Sequence, residues 1–453
     1  MNIIIVGCGQ VGETLATELG AEGNNITVID LSYQKVNAIA SKLDVRGVVG
    51  NGATHTTLSE AGIENTDLLI AVTASDELNL LCCMIAKKYE GCKVIAKVQN
   101  PVYNSEAQYL KTELGLAMVI NPDYAAALEI ARVLRFPVAN RIDTFSGGRV
   151  ELLKFRIPEG SVLIGNSVKN IAKKLNCDVL LCTAERDDAA YIVNGDFVFR
   201  ENDLVSVVAT PKNANEFFKK IGYKSSSVKD VFIVGASTTT HYLCDLLKKS
   251  GMSLKVLEKD SEKCEELASS HDEITVICGD ETDQDLLVEE GIKNTDAFLA
   301  LTGFDEENIF LSISAKNYGN SKTVLKIDRP EYDNIIRHLD IDTTIYPKSI
   351  AADLIVRYVR SMKNTMGSNV ETMYSFIKDK VEAVEFIIGE NSEIAGIPLA
   401  ALAPKLKADV LVAAILRDGK VIIPHGQDSI QKGDSVVIIS KLLGITDISD
   451  IIG

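Results

Sequence analysis

The sequence predicts an α/β fold, with two doubly wound parallel-sheet domains in tandem and a small α+β domain after each. Three observations carry this. Short β-branched, apolar runs alternate with amphipathic stretches of helical period. The whole pattern recurs at an offset of about 229 residues. A glycine-rich turn, GCGQVG at 7–12, directly follows the first apolar run.

The repeat pairs Gly7 with Gly235, Gly50 with Gly279, Thr73 with Thr302 and Lys97 with Lys326. Farther along, IGNSVKNIAKKLNCDVLLCTAERDD (164–188) matches AGIPLAALAPKLKADVLVAAILRDG (395–419), and Arg186 and Asp203 recur as Arg417 and Asp434. Two kinds of unit therefore alternate. Residues 1–122 and 228–347 are the sheet domains, 143–224 and 370–453 the small domains, and 123–142 and 348–369 the helix-and-linker segments between them.

In the first unit the strands are NIIIV, NITVID, RGVV, DLLIAV, KVIAKV and AMVI, separated by helical stretches such as VGETLATELGAE and SDELNLLCCMIAKKY. Continuously apolar strands spaced by helices imply a parallel sheet covered on both faces and joined by right-handed crossovers. This is a Rossmann-like domain, and 228–347 repeats it. In the small domains, strands such as VLLCTAER, DLVSVVAT, VLVAAILR and SVVIIS surround a single helix. Segment 123–142 opens as a helix that Phe136-Pro137 ends, because proline disfavours helix in the residue before it. Ala127, Ile130, Ala131 and Leu134 form one apolar face of that helix, which either closes its own domain's core or crosses to a partner.

With 453 residues, 46% hydrophobic and 24% charged, the chain suits several soluble globular domains. No run approaches the roughly 18 apolar residues of a membrane span, and the first strand begins too early to leave room for a signal peptide, so a cytoplasmic location is expected. A net charge of −16 without a basic run argues against nucleic acid and anionic lipid as partners. The cysteines number nine and are scattered, which reads as reduced core residues, and five isolated histidines outline no zinc site.

The glycines of the first turn divide the work. Gly7 permits the tight bend, Gly9 lets backbone approach a pyrophosphate, and Gly12 allows close helix-to-strand packing. The helix start then meets the anion with its N–H groups and dipole. Asp30, which closes NITVID, is placed to accept both ribose hydroxyls and to repel a 2′-phosphate, favouring NAD(H) or an adenine nucleotide over NADP. Asn51, Gly52 and Ala53 are candidates for the adenosine pocket, Thr73 and Ala74 for ribose or phosphate contact. Lys97 reads equally as a distal phosphate ligand or a solvated strand-end charge, and Asp76 and Glu77 as first-turn acids that stabilise a helix dipole.

A hydride-transfer enzyme needs a general acid or base beside the nicotinamide. Tyr-x-x-x-Lys occurs at Tyr89/Lys93, Tyr318/Lys322 and Tyr374/Lys378, but glycine interrupts the first two and the third lies far from a nucleotide turn. The residues favour a domain that binds nucleotide without transforming it. The alternative is an NAD-dependent oxidoreductase with duplicated Rossmann domains.

The ordered set VGCGQVG, NITVID, GNGAT followed by AGI, AVTASDELN and NPVY resembles the RCK (KTN) regulatory domains of bacterial Trk-type potassium uptake, and the alternating layout extends the resemblance over essentially the whole chain. The resemblance implies RCK N-terminal and C-terminal domains in alternation. It implies a non-enzymatic, homo-oligomeric cytoplasmic ring beneath a separate potassium-transporting membrane pore subunit of the TrkH/TrkG type, with NAD(H) and ATP or ADP as regulatory ligands. Carried over by position, the first site uses Gly7, Cys8, Gly9, Gln10, Val11, Asp30, Val72, Thr73 and Lys97; family members often have arginine at the last position, whose bidentate fork lysine lacks.

The second site departs further. Gly235 survives, but Ala236, Ser237, Thr238, Thr239 and Thr240 replace the rest of the fingerprint. Ser237 adds a side chain where backbone must approach phosphate, and Thr240 is expected to crowd the helix–strand contact. Glu258 ends LKVLE as the acidic counterpart of Asp30, while Asp280, Thr302 and Lys326 keep the other edges of the pocket. Ligand binding through the serine hydroxyl and a purely structural pseudo-site both remain open.

Overall fold

The computed structural model describes residues 1–136, 139, 141–145, 149–187, 189–223, 228–319, 321–336, 338, 339, 341–365, 370–377, 380–389, 392–442, 444, 445 and 447–453. The expected helix stop at Pro137 and the lysine of the Tyr374/Lys378 pair lie outside the described residues.

Each apolar run of the first sheet domain becomes a strand: Asn2–Val6, Asn25–Asp30, Arg46–Val49, Leu68–Ala71, Lys93–Lys97 and Met118–Ile120. Numbered along the chain, they lie in the order 3-2-1-4-5-6, all parallel. Ile3, Ile4 and Ile5 are all buried because helices cover both faces. The first strand pairs with Asn25–Asp30 on one side and Leu68–Ala71 on the other, so the chain reverses direction across the sheet at its carboxyl end. That switch point is where open α/β sheets form a crevice. The second sheet domain, from Asp230–Val234 to Thr343–Ile345, repeats the order.

The chain forms two compact units, one from 1–131 and 228–356, the other from 132–227 and 357–453. Within the first, the sheet domains dock directly. Tyr242 donates its hydroxyl to Gln99 O at 3.0 Å, accepts from Asn121 Nδ2 at 2.9 Å, and meets the Tyr124 ring edge-on at 5.4 Å. The expected apolar face of helix Pro122–Arg135 is largely as read, with Ala127, Ile130 and Leu134 buried, although Ala131 is partly exposed and Ala126 takes its place.

The second unit holds two five-stranded antiparallel sheets. One apolar cluster, including Leu152, Cys182 and Val208 from one sheet and Ala383, Ala413 and Ile439 from the other, joins them. The repeated Arg and Asp form the same fork in both. Arg186 donates to Asp203 through Nε (2.8 Å) and Nη2 (2.6 Å), and Arg417 to Asp434 at 2.9 and 2.7 Å. Both carboxylates are buried, and the paired charge-assisted bonds offset that desolvation.

The single-helix reading of the small domains needs correction in the first, which has Val168–Leu175 and also Pro211–Lys220. Proline at the first turn of a helix costs no hydrogen bond, and the Thr210 hydroxyl caps the Asn213 N–H. The helix seats Phe217 and Phe218 against Phe155, with ring centroids 5.7 and 5.1 Å away. Among the described residues, no helix is long and apolar enough to cross a membrane.

Two candidate nucleotide clefts

At the first switch point Gly7 takes φ 109°, and a Cβ there would lie 2.9 Å from the Thr73 nitrogen, so only glycine fits. A Cβ on Gly12 would lie 1.9 Å from the Gly7 oxygen, which is the close helix-to-strand packing expected of this residue. Gly9 differs, because among the described residues nothing lies within 4 Å of its added Cβ. The room beside Gly9 opens into a cleft of about 470 Å³.

Asp30 anchors the turn. Its Oδ2 accepts from the Cys8 N–H at 2.8 Å and its Oδ1 from the Ser32 N–H at 2.9 Å. A carboxylate oxygen holding one such bond keeps a lone pair for a further donor, so the ribose role remains chemically available. Thr73 and Lys97 are fixed by Asn79, a fully buried residue that sequence reasoning passed over. Asn79 accepts from the Thr73 N–H (2.8 Å) and hydroxyl (2.7 Å) and donates to the Lys97 carbonyl (2.9 Å). The Lys97 ammonium donates to Gln99 Oε1 at 2.7 Å, and burial lowers its pKa against the opposing pull of Asp76 and Asp123. Asp76 does more than complement a helix dipole, since its Oδ2 accepts from the Gln99 and Asn100 N–H groups at 2.9 and 2.8 Å.

The first cleft is lined by Gly7, Gly9, Gln10, Val11, Asp30, Asn51, Gly52, Val72, Thr73, Ala74 and Lys97 from the expected set, and by Lys35 and Lys348 besides. Cys8, Gly12 and Ala53 do not line it. The Cys8 side chain is buried, which pushes its thiol up to about 12, and its N–H is spent on Asp30. Gly12 faces the Gly7 carbonyl, and the Ala53 N–H is turned back onto Asn51 Oδ1 at 2.9 Å.

The second cleft, about 670 Å³, repeats the frame. Gly235 takes φ 100°, and Glu258 accepts from the Ala236 N–H at 2.7 Å and the Asp260 N–H at 3.0 Å, as Asp30 does in the first. Asn308 clips Thr302 and the Lys326 carbonyl with the same three bonds. Ser237 (φ −85°, ψ 167°) adopts the extended backbone of Gly9 (φ −79°, ψ −174°), so the substitution carries no strain. Thr240 corrects an expectation. Rather than crowding the turn, its hydroxyl donates to the Gly235 oxygen at 2.6 Å, turning the clash that Gly12 avoids into a hydrogen bond.

Of the expected second-site residues, Gly235, Ala236, Ser237, Thr238, Glu258 and Thr302 line the cleft, whereas Thr239, Asp280 and Lys326 do not. Thr239 is buried with its hydroxyl on Asp123 of the first sheet domain at 2.9 Å. Asp280 accepts from the N–H and hydroxyl of Thr282, and Lys326 is buried, which lowers its pKa. Two acids of the expected edge stretches GDETD and LTGFDEEN that were not singled out, Glu281 and Glu307, enter the cleft. Lys259 bridges them at 2.6 and 3.6 Å, and burial, followed by the charge of Glu281, raises the pKa of Glu307. Of the Tyr-x-x-x-Lys pairs, Lys93 and Lys322 begin strands, so neither shares a helix face with its tyrosine.

A Rossmann-type sheet with a glycine turn and an acidic second strand, duplicated in one chain and alternating with small antiparallel domains, is the architecture of tandem RCK proteins. Family models agree. The TrkA-N domain matches residues 3–122 and 231–347, and the TrkA-C domain residues 152–222 and 383–453. A protein of Archaeoglobus fulgidus described as a Trk system potassium uptake protein TrkA homolog is 32% identical over 451 residues, covering 100% of both chains. TrkA of Halomonas elongata is 28% identical, over 97% of this chain and 95% of its own. The solved GsuK RCK domain superposes with a TM-score of 0.63 at 16% identity, covering 97% of this chain and 92% of that one. A GsuK channel bound to NAD gives 0.64 at 16% identity, over 97% and 76%. The chain belongs to the TrkA family of Trk system potassium uptake proteins.

Proposed function

We propose that this chain is a nucleotide-binding, non-enzymatic regulatory subunit of Trk-type potassium uptake. It assembles as a homo-oligomeric ring on the inner face of the cell membrane and acts through a separate pore subunit of the TrkH/TrkG type. The observation that carries the reading is the first cleft, where open space at Gly9 sits within one pocket with Asp30, Thr73 and Lys97, in a chain that matches TrkA relatives from end to end. The residues present fit an adenine nucleotide or NAD(H): a helix start for phosphate, a carboxylate for ribose, and a lysine for a distal charge. The GsuK structures described as bound to NAD and to ADP support these ligands by fold analogy.

A ligand gates only by binding two ring shapes unequally. Moving a 1:99 equilibrium to 99:1 takes about 5.5 kcal/mol, which a ring with several clefts supplies at about 1 kcal/mol each. The docked sheet domains offer a route. Lys348, from the second domain, lines the first cleft, so a ligand there touches both domains.

Calorimetric titration of NAD, NADH, ATP and ADP onto the intact chain, Asp30→Ala and Glu258→Ala tests the reading. Asp30→Ala removes the tighter event, with Asp30→Asn as the variant that preserves the size of the side chain. Unchanged binding in both Asp30 variants overturns the assignment, and turnover of NADH on carbonyl compounds overturns the non-enzymatic reading.

A further inference from the structure

We infer that the two clefts are sorted by phosphate charge: the first takes a nucleotide with two or more phosphates, the second a nucleoside or a nucleoside monophosphate. The inference rests on the nucleotide-binding reading above and adds to it a different ligand class for each cleft.

The side chains lining the clefts differ sharply in charge. The first has Lys35, Lys97 and Lys348 against one carboxylate, Asp30, a balance of +2. The second has Lys259 and Lys263 against Asp245, Glu258, Glu266, Glu281 and Glu307, a balance of −3 with its histidines neutral. Charges around a low-dielectric cleft focus its potential, so the first attracts a polyphosphate and the second repels one.

The asymmetry is built at positions the repeat makes equivalent. Glu281 and Glu307 stand where the first domain has Gly52 and Leu78. The Glu281 side chain is 4% exposed, and its buried Oε2 meets no hydrogen-bond donor among the described residues. Its other oxygen holds Lys259, the lysine nearest Glu258 in sequence, and so withdraws that cation from any phosphate. The second pair is lent across the domain contact. Asp123 and Lys348 each follow the proline that opens the helix after the last strand of their domain. Lys348 enters the first cleft, where Gln10 and Val11 begin the nucleotide helix; its present partner, Asp328 at 3.4 Å, is a half-exposed ion pair that a phosphate can displace. Asp123 instead accepts from Thr239 in the first turn of the second nucleotide helix, so that the positive end of that dipole already faces a carboxylate of the protein.

The test is calorimetry with ADP, AMP and adenosine on the full chain, with Glu258→Gln used to assign events to the second cleft. ADP is expected to bind once per chain, and AMP or adenosine to enter the second cleft. Lys348→Gln is expected to weaken ADP about tenfold while leaving adenosine unchanged, the loss of one charge-assisted contact. The Glu281→Gln/Glu307→Gln double variant, or Asp123→Asn if that double variant is unstable, admits ADP to the second cleft and raises its stoichiometry to two. ADP filling both clefts of the unaltered chain with equal affinity, neither AMP nor adenosine entering the second, or Lys348→Gln weakening ADP and adenosine alike overturns the inference while leaving nucleotide binding intact. Absence of binding by all three and by NAD(H) as well overturns the functional reading itself.

Discussion

Gly12 and Thr240 occupy the same place in the two repeats, and the structure predicts that neither tolerates the exchange. In Gly12→Ala the new methyl lies 1.9 Å from the Gly7 oxygen, and reaching even 3.0 Å requires a retreat of 1.1 Å. The obstacle is backbone, held by Gly7 at φ 109° and by the 2.8 Å bond from its N–H to Ile29 O, so no flexible side chain can give way. Overpacking of this kind costs about 3 kcal/mol at its upper end, and alanine's better helix propensity returns about 1 kcal/mol, leaving about 2 kcal/mol of destabilisation. Thr240→Gly loses a buried hydrogen bond of about 1 kcal/mol and a buried methyl of about 0.8 kcal/mol, again close to 2 kcal/mol. Each variant should lower the melting temperature of the sheet-domain transition by about 4–8 °C in scanning calorimetry. The sign is decisive for Gly12→Ala. An unhindered methyl in helix Gln10–Ala21 would stabilise the chain, so a rise in melting temperature refutes the steric argument.

Asn79→Ala leaves the Thr73 N–H and the Lys97 carbonyl without their buried partner, and about 2–4 kcal/mol of stability should be lost. The same variant should weaken nucleotide binding in the first cleft, read by calorimetric titration, because Thr73 and Lys97 both line it. His241 gives a pH dependence. Burial, and then the charge of His271, lowers its pKa against the smaller opposing effects of Glu266 and Asp245. Because the folded pKa lies below the unfolded one, the contribution is present above about pH 6.5 and lost as pH falls through the folded value. Melting temperature measured from neutral to acid pH should therefore fall less steeply in His241→Gln than in the unaltered chain.

Much of the frame was legible in the residues. The six strands of the first sheet domain fall within a residue of the apolar runs that predict them, and for the central strands Asn2–Val6, Leu68–Ala71 and Lys93–Lys97 the reason is burial on both faces, which admits almost no polar residue. Gly7 was legible for a similar reason, since its turn excludes every residue with a Cβ, and so were the Arg186–Asp203 and Arg417–Asp434 forks, which the repeat displays twice. The helix at Pro211–Lys220 was not. Its opening proline reads as an interruption unless the Thr210 cap beside it is counted.

The clefts divide along the same line. Asp30 and Glu258 end strands beside their own glycine turns, so spacing along the chain places them, and the sequence determined them together with the order of domains and the parallel sheets. Asn79 could have been found by aligning TASDELN with LTGFDEEN; its two bonds to Thr73 are local, but the one to the Lys97 carbonyl exists only once two strands lie side by side. Lys348 in the first cleft and Asp123 on Thr239 belong to the tertiary structure alone. Short-range periodicity and backbone sterics act between neighbours and are written into the chain in order. Lys348 and Asp123 are supplied instead from more than a hundred residues away, one to the first cleft and one to the start of the second helix, and the docking of two folded domains places them.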